Sequence, residues 1–463
     1  MRESLFESNF TGIFNDKRLD KRGNIVSSLV KKGQKCPIKS MTNNEAEQKG
    51  FYRFLMNEEV AEDKLIQELT QRCSSNVSGR HVLVIQDSTN FGLSKHRKHL
   101  KPNSGLGLVG NKKGLGFLGH CCLVMDSNDC TMLGFSDIHL WHREKDKSNN
   151  TTRIYKTQHI EEKESYRWIR SGLKSKKLLE QAKNITIIED REGVIYEQFC
   201  ILKDDKTDLL IRSRDNRRIS NGTRLYDALS SEQLAGMHKI KVEGDKRKNI
   251  EERIATLEVR YTKVEIKKPN GKISKELPEQ LEVFAVEAKE VGSTKEDAIK
   301  WRILTTHKVS CFEEAIETIN KYKQRWYIEQ AFRLLKKQGF KIEDTELTSG
   351  WAIRKLTILL LNSVLRTMQL LLAYKNKNSQ PQDEVFNKEE QKCLNSLLIK
   401  LEQERTQVEN KCDSKRLSWA TWIIARLGGW KGNVKQRPPG PITLKRGLDR
   451  FDLIFEGWKI ANQ

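Results

Sequence analysis

Residues 81–90 read HVLVIQDSTN, a near-continuous apolar run that ends in a Gln-Asp-Ser-Thr cluster. Uninterrupted Val, Leu and Ile without polar alternation is the pattern of a strand covered on both faces. The same pattern returns at NITIIEDRE (184–192), again closing on an aspartate, Asp190. Two buried strands, each with an acid at its carboxyl end (Asp87 and Asp190), predict an α/β core that delivers paired carboxylates to one edge of a sheet. A lone strand-end Asp is often only a turn or helix cap; a matched pair says more. GHCCLVMD and TMLGFSDIHLWH (119–142) read as two further strands joined at Ser-Asn-Asp, a hairpin, and Glu161–Lys183 reads as helical.

Further along, KYKQRWYIEQAFRLLKK (321–337) has no Gly or Pro and reads as one continuous helix. On that reading Tyr322, Arg325, Glu329 and Lys336 fall within roughly 60° of one another around the axis. One face then offers a carboxylate between a phenol and two cations. Such a face suits a metal ion beside a phosphate, although ordinary charge pairs on a solvated helix face have the same composition. Asp87, Asp190 and Glu329 could converge on two Mg²⁺ ions about 3.5–4 Å apart, an arrangement suited to in-line displacement at a phosphodiester. Mn²⁺ suits the same oxygen donors.

Composition agrees with a polyanionic partner. Lys plus Arg number 84 against 62 Asp plus Glu, a formal net charge of +22 over 463 residues, which points to nucleic acid before membrane. The longest apolar stretch, LTILLLNSVLRTMQLLLAY (356–374), is broken by Asn362, Ser363 and Arg366 and reads as a buried helix, so no membrane span is expected. The nine cysteines are scattered and lack a CxxC pair, as reduced thiols of a cytoplasmic protein would be.

Three regions follow. Residues 1–75 read as a helical module whose Arg18, Arg22, Lys31, Lys32, Lys35, Tyr52 and Arg53 are candidate DNA contacts, although a basic solvated surface has the same look. Residues 76–375 read as the catalytic domain, interrupted at about 201–298 by a strand-rich insertion. Within it, residues 203–275 hold 19 Lys or Arg against 12 Asp or Glu. Arg212, Arg214, Arg217, Lys246, Arg247 and Lys248 are its candidate phosphate contacts, a polar solvated sheet being the alternative. KWRILTT (300–306) reads as a strand returning to the core, with Trp301 an odd neighbour for those charges. Residues 376–463 read as helical, after a polar linker at 375–392 and with an irregular RPPGPITLKRG stretch.

These residues resemble the bacterial cut-and-paste transposases of the DDE type, in the insertion-sequence-four group to which the transposase of transposon Tn-five belongs. The resemblance runs along almost the whole chain. Its most specific element is the group's Tyr-x2-Arg-x3-Glu-x6-Lys signature, met by Tyr322, Arg325, Glu329 and Lys336. Asp87, followed by Ser-Thr, and Asp190, followed by Arg191 and Glu192, fall on the family's two aspartates. Trp301 falls on its Trp-x-Leu/Ile-Leu-Thr strand. Asp16, Arg18, Arg22 and Tyr52–Phe54 fall on its N-terminal elements, and ARLGGW and FEGWK resemble its C-terminal ones. Val194 departs from the frequent Asp-Arg-Glu-x-Asp pattern.

The resemblance implies a ribonuclease-H-like α/β core of mixed sheet flanked by helices, with an N-terminal helical DNA-binding domain and a C-terminal helical domain that pairs two subunits. It implies a homodimer that binds transposon ends and target DNA at the bacterial nucleoid. Water nicks one strand at each end, the freed 3′-hydroxyl forms a hairpin, a second water opens it, and the 3′ ends join target DNA. Tyr322, Arg325 and Lys336 would grip the phosphate, and Trp301 would stack on a base taken out of the helix. Two other readings are a catalytically silent repressor of transposition and a ribonuclease-H-like nuclease that cuts without joining.

Overall fold

The computed structural model describes residues 5–32, 38–96, 98–101, 104–110, 114–143, 158–242, 252–270, 273–292, 298–336, 339–375, 379–403, 409–432 and 438–462. Lys35, Lys246, Arg247 and Lys248 lie outside the described residues. The fold is mixed α/β, and the chain forms two compact units: residues 1–78, 88–148 and 327–463 make the first, residues 79–87 and 149–326 the second. The division 1–75, 76–375 and 376–463 read from the sequence cuts across both.

In the second unit the strand pattern builds a parallel centre. Strand β1 (His81–Gly92) pairs through its first residues with β5 (Asn184–Glu189), from His81 opposite Asn184 to Ile85 opposite Ile188. β5 continues in parallel to β6 (Thr207–Arg212). Val82 to Gln86 and Ile185 to Glu189 are all buried, as the apolar runs require. β10 (Lys300–Thr305) returns antiparallel to β6, and β9 (Gln280–Glu290), β8 (Arg253–Lys267) and β7 (Gly236–Val242) extend the sheet antiparallel beyond it. The strand-rich segment is therefore an extension of the core sheet that starts after β6, where the sequence reading put a separate insertion from 201.

Helix α4 (Tyr166–Leu178) replaces the longer helix expected over 161–183. Together with α5 (Tyr196–Leu202) and α6 (Leu225–Ser231) it belongs to the same unit. Helix α7 (Phe312–Lys323) seats Ala315 and Ile319 in an apolar cluster with Leu257, Val259, Val286 and Ala288 of β8 and β9. Trp301 packs on the edge of this cluster.

Two expectations about chain geometry fail here. The continuous helix over 321–337 is two helices, α7 and α8 (Trp326–Leu335), parted by a turn at Gln324–Arg325. The Gln324 and Arg325 amides bond the carbonyls of Lys321 and Tyr322, each three residues back, which tightens and ends the first helix. The angular argument for one shared face does not survive that break. Asp87 is also not the end of its strand: β1 runs on to Gly92.

The first unit holds α1 (Lys17–Lys32), α2 (Glu45–Met56), α3 (Glu62–Ser74), β2 (Gly107–Val109), β3 (Gly114–Asp126), β4 (Met132–Trp141) and the last residues of β1. β3 and β4 form the expected hairpin. Its axis is α9 (Gly350–Lys375), contacted by α1, α2, α3 and β4 and by the C-terminal helices α11 (Leu417–Leu427) and α12 (Pro441–Ala461). α9 is long and apolar enough to cross a bilayer by length and composition, and its apolar window is wholly buried inside the protein. A helix apolar on all sides needs cover on all sides. Several of its polar residues have partners: Asn362 accepts from Arg72 at 2.9 Å, Lys355 donates to the Asn57 carbonyl at 2.7 Å, and Arg366 pairs with Glu390 and Asp452.

The C-terminal reading also needs correction. α10 (Lys388–Gln403) begins inside the segment read as a linker, and α12 starts at Pro441 inside the stretch read as irregular. Proline at the first helical position loses no hydrogen bond, which makes it a start signal. Gly447 is required on α12 because a Cβ there would collide with the Ile424 carbonyl of α11.

Candidate active site

Asp87 and Asp190 are carried by neighbouring parallel strands, spaced about 4.8 Å apart: each lies two residues beyond the paired Ile85 and Ile188, Asp87 within β1 and Asp190 immediately past the end of β5. Their side chains are 22% and 34% exposed. Each has a cationic neighbour: Arg325 Nη1 lies 3.3 Å from Asp87 Oδ2, and Arg212 Nη1 lies 3.9 Å from Asp190 Oδ1. The Tyr322 hydroxyl donates to Asp190 Oδ1 at 3.2 Å. Burial pushes the Tyr322 phenol up to about 12, and the Asp190 charge adds to the rise against Arg325 and Arg212. Tyr322 is thus a fixed neutral donor at neutral pH. The turn that breaks the helix is what aims Arg325 at Asp87.

Trp301 lies opposite Ala288 on β9, half-buried, with its indole edge-on to the Tyr322 ring at 5.4 Å and 70°. The neighbouring charges are accounted for: Arg302 donates to Glu287 at 2.5 Å and lies 3.8 Å over the Tyr226 ring. Glu192, beside Asp190, pairs with Arg167 at 2.7 Å.

The remaining signature residues belong to the first unit. Glu329 is half-buried in the first turn of α8, four residues after Arg325 in the chain. Lys336 donates to the Thr89 hydroxyl and sits 5.3 Å from the Phe91 ring centroid, so it is anchored to the last residues of β1, within the first unit. Among the described residues, no three His, Cys, Asp or Glu side chains are gathered closely enough to hold a metal ion. Asp87 and Asp190 are hard oxygen donors, a chemistry that fits Mg²⁺ or Mn²⁺.

The N-terminal candidates divide. Arg18, Arg22 and Arg53 are exposed on α1 and α2, and Tyr52 is half-buried. Lys32 is exposed and pairs with Glu456 at 3.0 Å. Lys31 has a side chain only 18% exposed and pairs with Glu7 at 4.0 Å, with burial as the main cause of its lowered pKa. In the strand-rich segment Arg214 pairs with its neighbour Asp215, and Lys263, Arg260 and Arg253 pair with Glu282, Glu258 and Glu290. Much of the basic surface expected there is neutralised locally.

Sequence reading missed a polar chain at the opposite ends of the parallel strands. His81 Nε2 and His307 Nε2 each lie 2.9 Å from the Thr186 hydroxyl, and His307 Nδ1 lies 3.3 Å from Asp208. No spacing in the chain announces it, because its members come from β1, β5, β6 and the segment after β10. Burial pushes the His307 pKa down to about 4, against the pull of Asp208 and with Lys321 and His81 adding to the fall and Glu317 opposing it. A depressed folded value means that the unfolded chain binds the proton first as pH falls. Stability should therefore hold above about pH 6.5 and decline toward pH 4, by on the order of 2–3 kcal/mol. The lowered Asp208 pKa acts below this window. Denaturant unfolding of wild type and His307→Gln across pH 4–7 checks this; an equal slope in both excludes His307 as the source.

No protein-family model matches the chain. Among solved structures it is similar to a cryo-EM structure of a piggyBac transposase synaptic complex with hairpin DNA, at 11% identity and a TM-score of 0.36. The alignment covers 76% of this chain, which spans 65% of the length of that one. At that TM-score the likeness does not establish a shared fold.

Proposed function

We propose that this chain is a DNA transposase of the DDE cut-and-paste type, with a ribonuclease-H-like catalytic core. The observation that carries the reading is the pair of aspartates delivered by adjacent parallel strands, Asp87 within β1 and Asp190 just past β5, with Tyr322 bonded to Asp190 and Arg325 to Asp87. Two residues of the sequence signature, Tyr322 and Arg325, thus reach the same two carboxylates that the strand patterns single out. The net charge of +22 supports a DNA partner.

Asp87, Asp190 and Glu329 would hold two Mg²⁺ ions, or Mn²⁺ in their place. Bound there, such a pair would activate a water or 3′-hydroxyl and stabilise the leaving oxygen of an in-line displacement. Arg325 and Arg212 offer cations to phosphate oxygens beside the carboxylates, and Lys336 would add a further one. Tyr322 holds Asp190 in one orientation, since its phenol stays protonated. Trp301, edge-on to Tyr322, offers an aromatic surface to a base removed from the stack during hairpin formation. Arg18, Arg22 and Arg53 would bind the terminal inverted repeats as phosphate contacts, and the active complex would be a homodimer that joins the 3′ ends to target DNA.

The test is incubation of linear DNA carrying the gene's own flanking sequences with Mg²⁺ and, separately, with EDTA. The expected result is metal-dependent cleavage at the element boundaries with hairpin ends. Binding without any cleavage would replace the proposal with the repressor reading, and cuts scattered along the DNA would replace it with the nuclease reading.

A further inference from the structure

Trp351, the second residue of α9, keeps 43% of its surface exposed on a helix that is otherwise buried. The ring is nonetheless fixed. The Arg354 guanidinium lies 4.6 Å from its centroid, the His142 ring meets it edge-on at 6.0 Å, and a Cβ on Gly105 would collide with the indole. Gly105 has φ +82°, a backbone state that suits glycine, so the chain passes closely against the ring. Arg354 is itself immobile: it pairs with Glu62 at 2.7 Å and donates to the Leu140 carbonyl at 2.8 Å and the Gly105 carbonyl at 3.3 Å. A rigid indole on a locked guanidinium loses little conformational freedom when a flat ligand covers it.

The surrounding chain indicates which ligand. Residues 88–125 contain six basic residues (Lys95, Arg97, Lys98, Lys101, Lys112 and Lys113) and no Asp or Glu. Of its described residues, Lys101 and Ser104 lie against the start of α9: the Lys101 amide bonds the Thr348 carbonyl at 2.8 Å and the Ser104 hydroxyl accepts from the Gly350 amide at 3.1 Å. Lys95, Lys98 and Lys101 are exposed. Asp344 and Glu346, shortly before the helix, are the acids nearest in sequence to Trp351; of the acids in contact with this region, Glu62 is paired with Arg354 and Glu343 accepts from the Gly92 amide at 2.8 Å.

We propose that Trp351, with the described cations Lys95, Lys98 and Lys101, forms a second nucleic-acid contact in the first unit, with the indole stacking on an unpaired DNA base. Aromatic stacking beside cations is how proteins hold single-stranded nucleic acid with little sequence preference. The proposal rests on the DNA reading above and adds to it a preference for unpaired bases at a place other than the aspartate pair.

The test compares binding of a fluorescent duplex with binding of the same duplex bearing a three-nucleotide single-stranded extension, in wild type, Trp351→Ala and Trp351→Phe. Wild type should prefer the extended DNA, and Trp351→Ala should lose roughly 5- to 150-fold in affinity for it while its duplex affinity stays near wild type. Trp351→Phe, which keeps a stacking ring, should retain most of the preference and carries the test should the alanine variant melt early. An undiminished preference in Trp351→Ala, or equal losses on both DNAs, overturns the stacking role. Wild type that binds neither DNA overturns the DNA reading itself.

Discussion

Glu329→Gln should abolish metal-dependent strand cleavage, by about a thousandfold or more, while DNA affinity stays close to wild type. The substitution keeps the size and hydrogen-bonding reach of the side chain and removes only its charge. A carboxylate that ligates a divalent cation contributes several kcal/mol to the transition state, and each 1.4 kcal/mol is tenfold in rate. Phosphate contacts made by Arg325, Lys336 and the basic helices would be untouched, so binding reports the integrity of the protein. Glu313→Gln, which removes an exposed charge on α7, is the matched control and should cleave normally. Cleavage by Glu329→Gln at the rate of that control would remove Glu329 from the metal site and reduce the proposal to the aspartate pair.

The second large effect concerns stability. Arg366 on α9 is buried between Glu390, at 3.3 Å, and Asp452, at 3.4 Å, with the Phe386 ring 5.1 Å from its Cζ. Burial raises the Asp452 pKa against the opposing pull of Arg366, and Lys31 borders the same cluster. Arg366→Met replaces the cation with an apolar chain of similar length and strands two buried acids. Breaking a buried pair in this way costs about 3–5 kcal/mol, to be read as a shift in the urea midpoint. Arg366→Met combined with Glu390→Gln and Asp452→Asn should recover much of the loss, because no uncompensated charge remains. A single-variant cost below about 1 kcal/mol would show that water or rearrangement relieves the acids.

Both experiments depend on features of different legibility. The apolar runs at 81–86 and 184–189 were readable as buried strands because side-chain hydrophobicity over five or six residues is a local property. The Tyr-Arg-Glu-Lys spacing was readable for the same reason, as was the burial of α9. The places where local reading failed have local signals that point the wrong way. Residues 321–337 lack Gly and Pro, yet the turn at Gln324–Arg325 forms and Arg325 reaches Asp87. Lys31 looks like its neighbour Lys32, and only the packing of α1 near α9 and α12 turns one inward and leaves the other exposed.

The sequence by itself determined the classes of residue available: two strand-borne aspartates, a signature of phenol, cation and carboxylate, a large basic excess, and one helix too apolar to stand in water. Tertiary structure decided their partners. Parallel strands delivered Asp87 and Asp190 from neighbouring positions, a helix break aimed Arg325, nearby acids paired with several cations of the strand-rich segment, and close approach at Gly105 fixed an exposed indole. The reason is physical: hydrophobic period and charge are carried by neighbours in the chain, whereas register, burial and ion pairing are set by residues hundreds of positions apart.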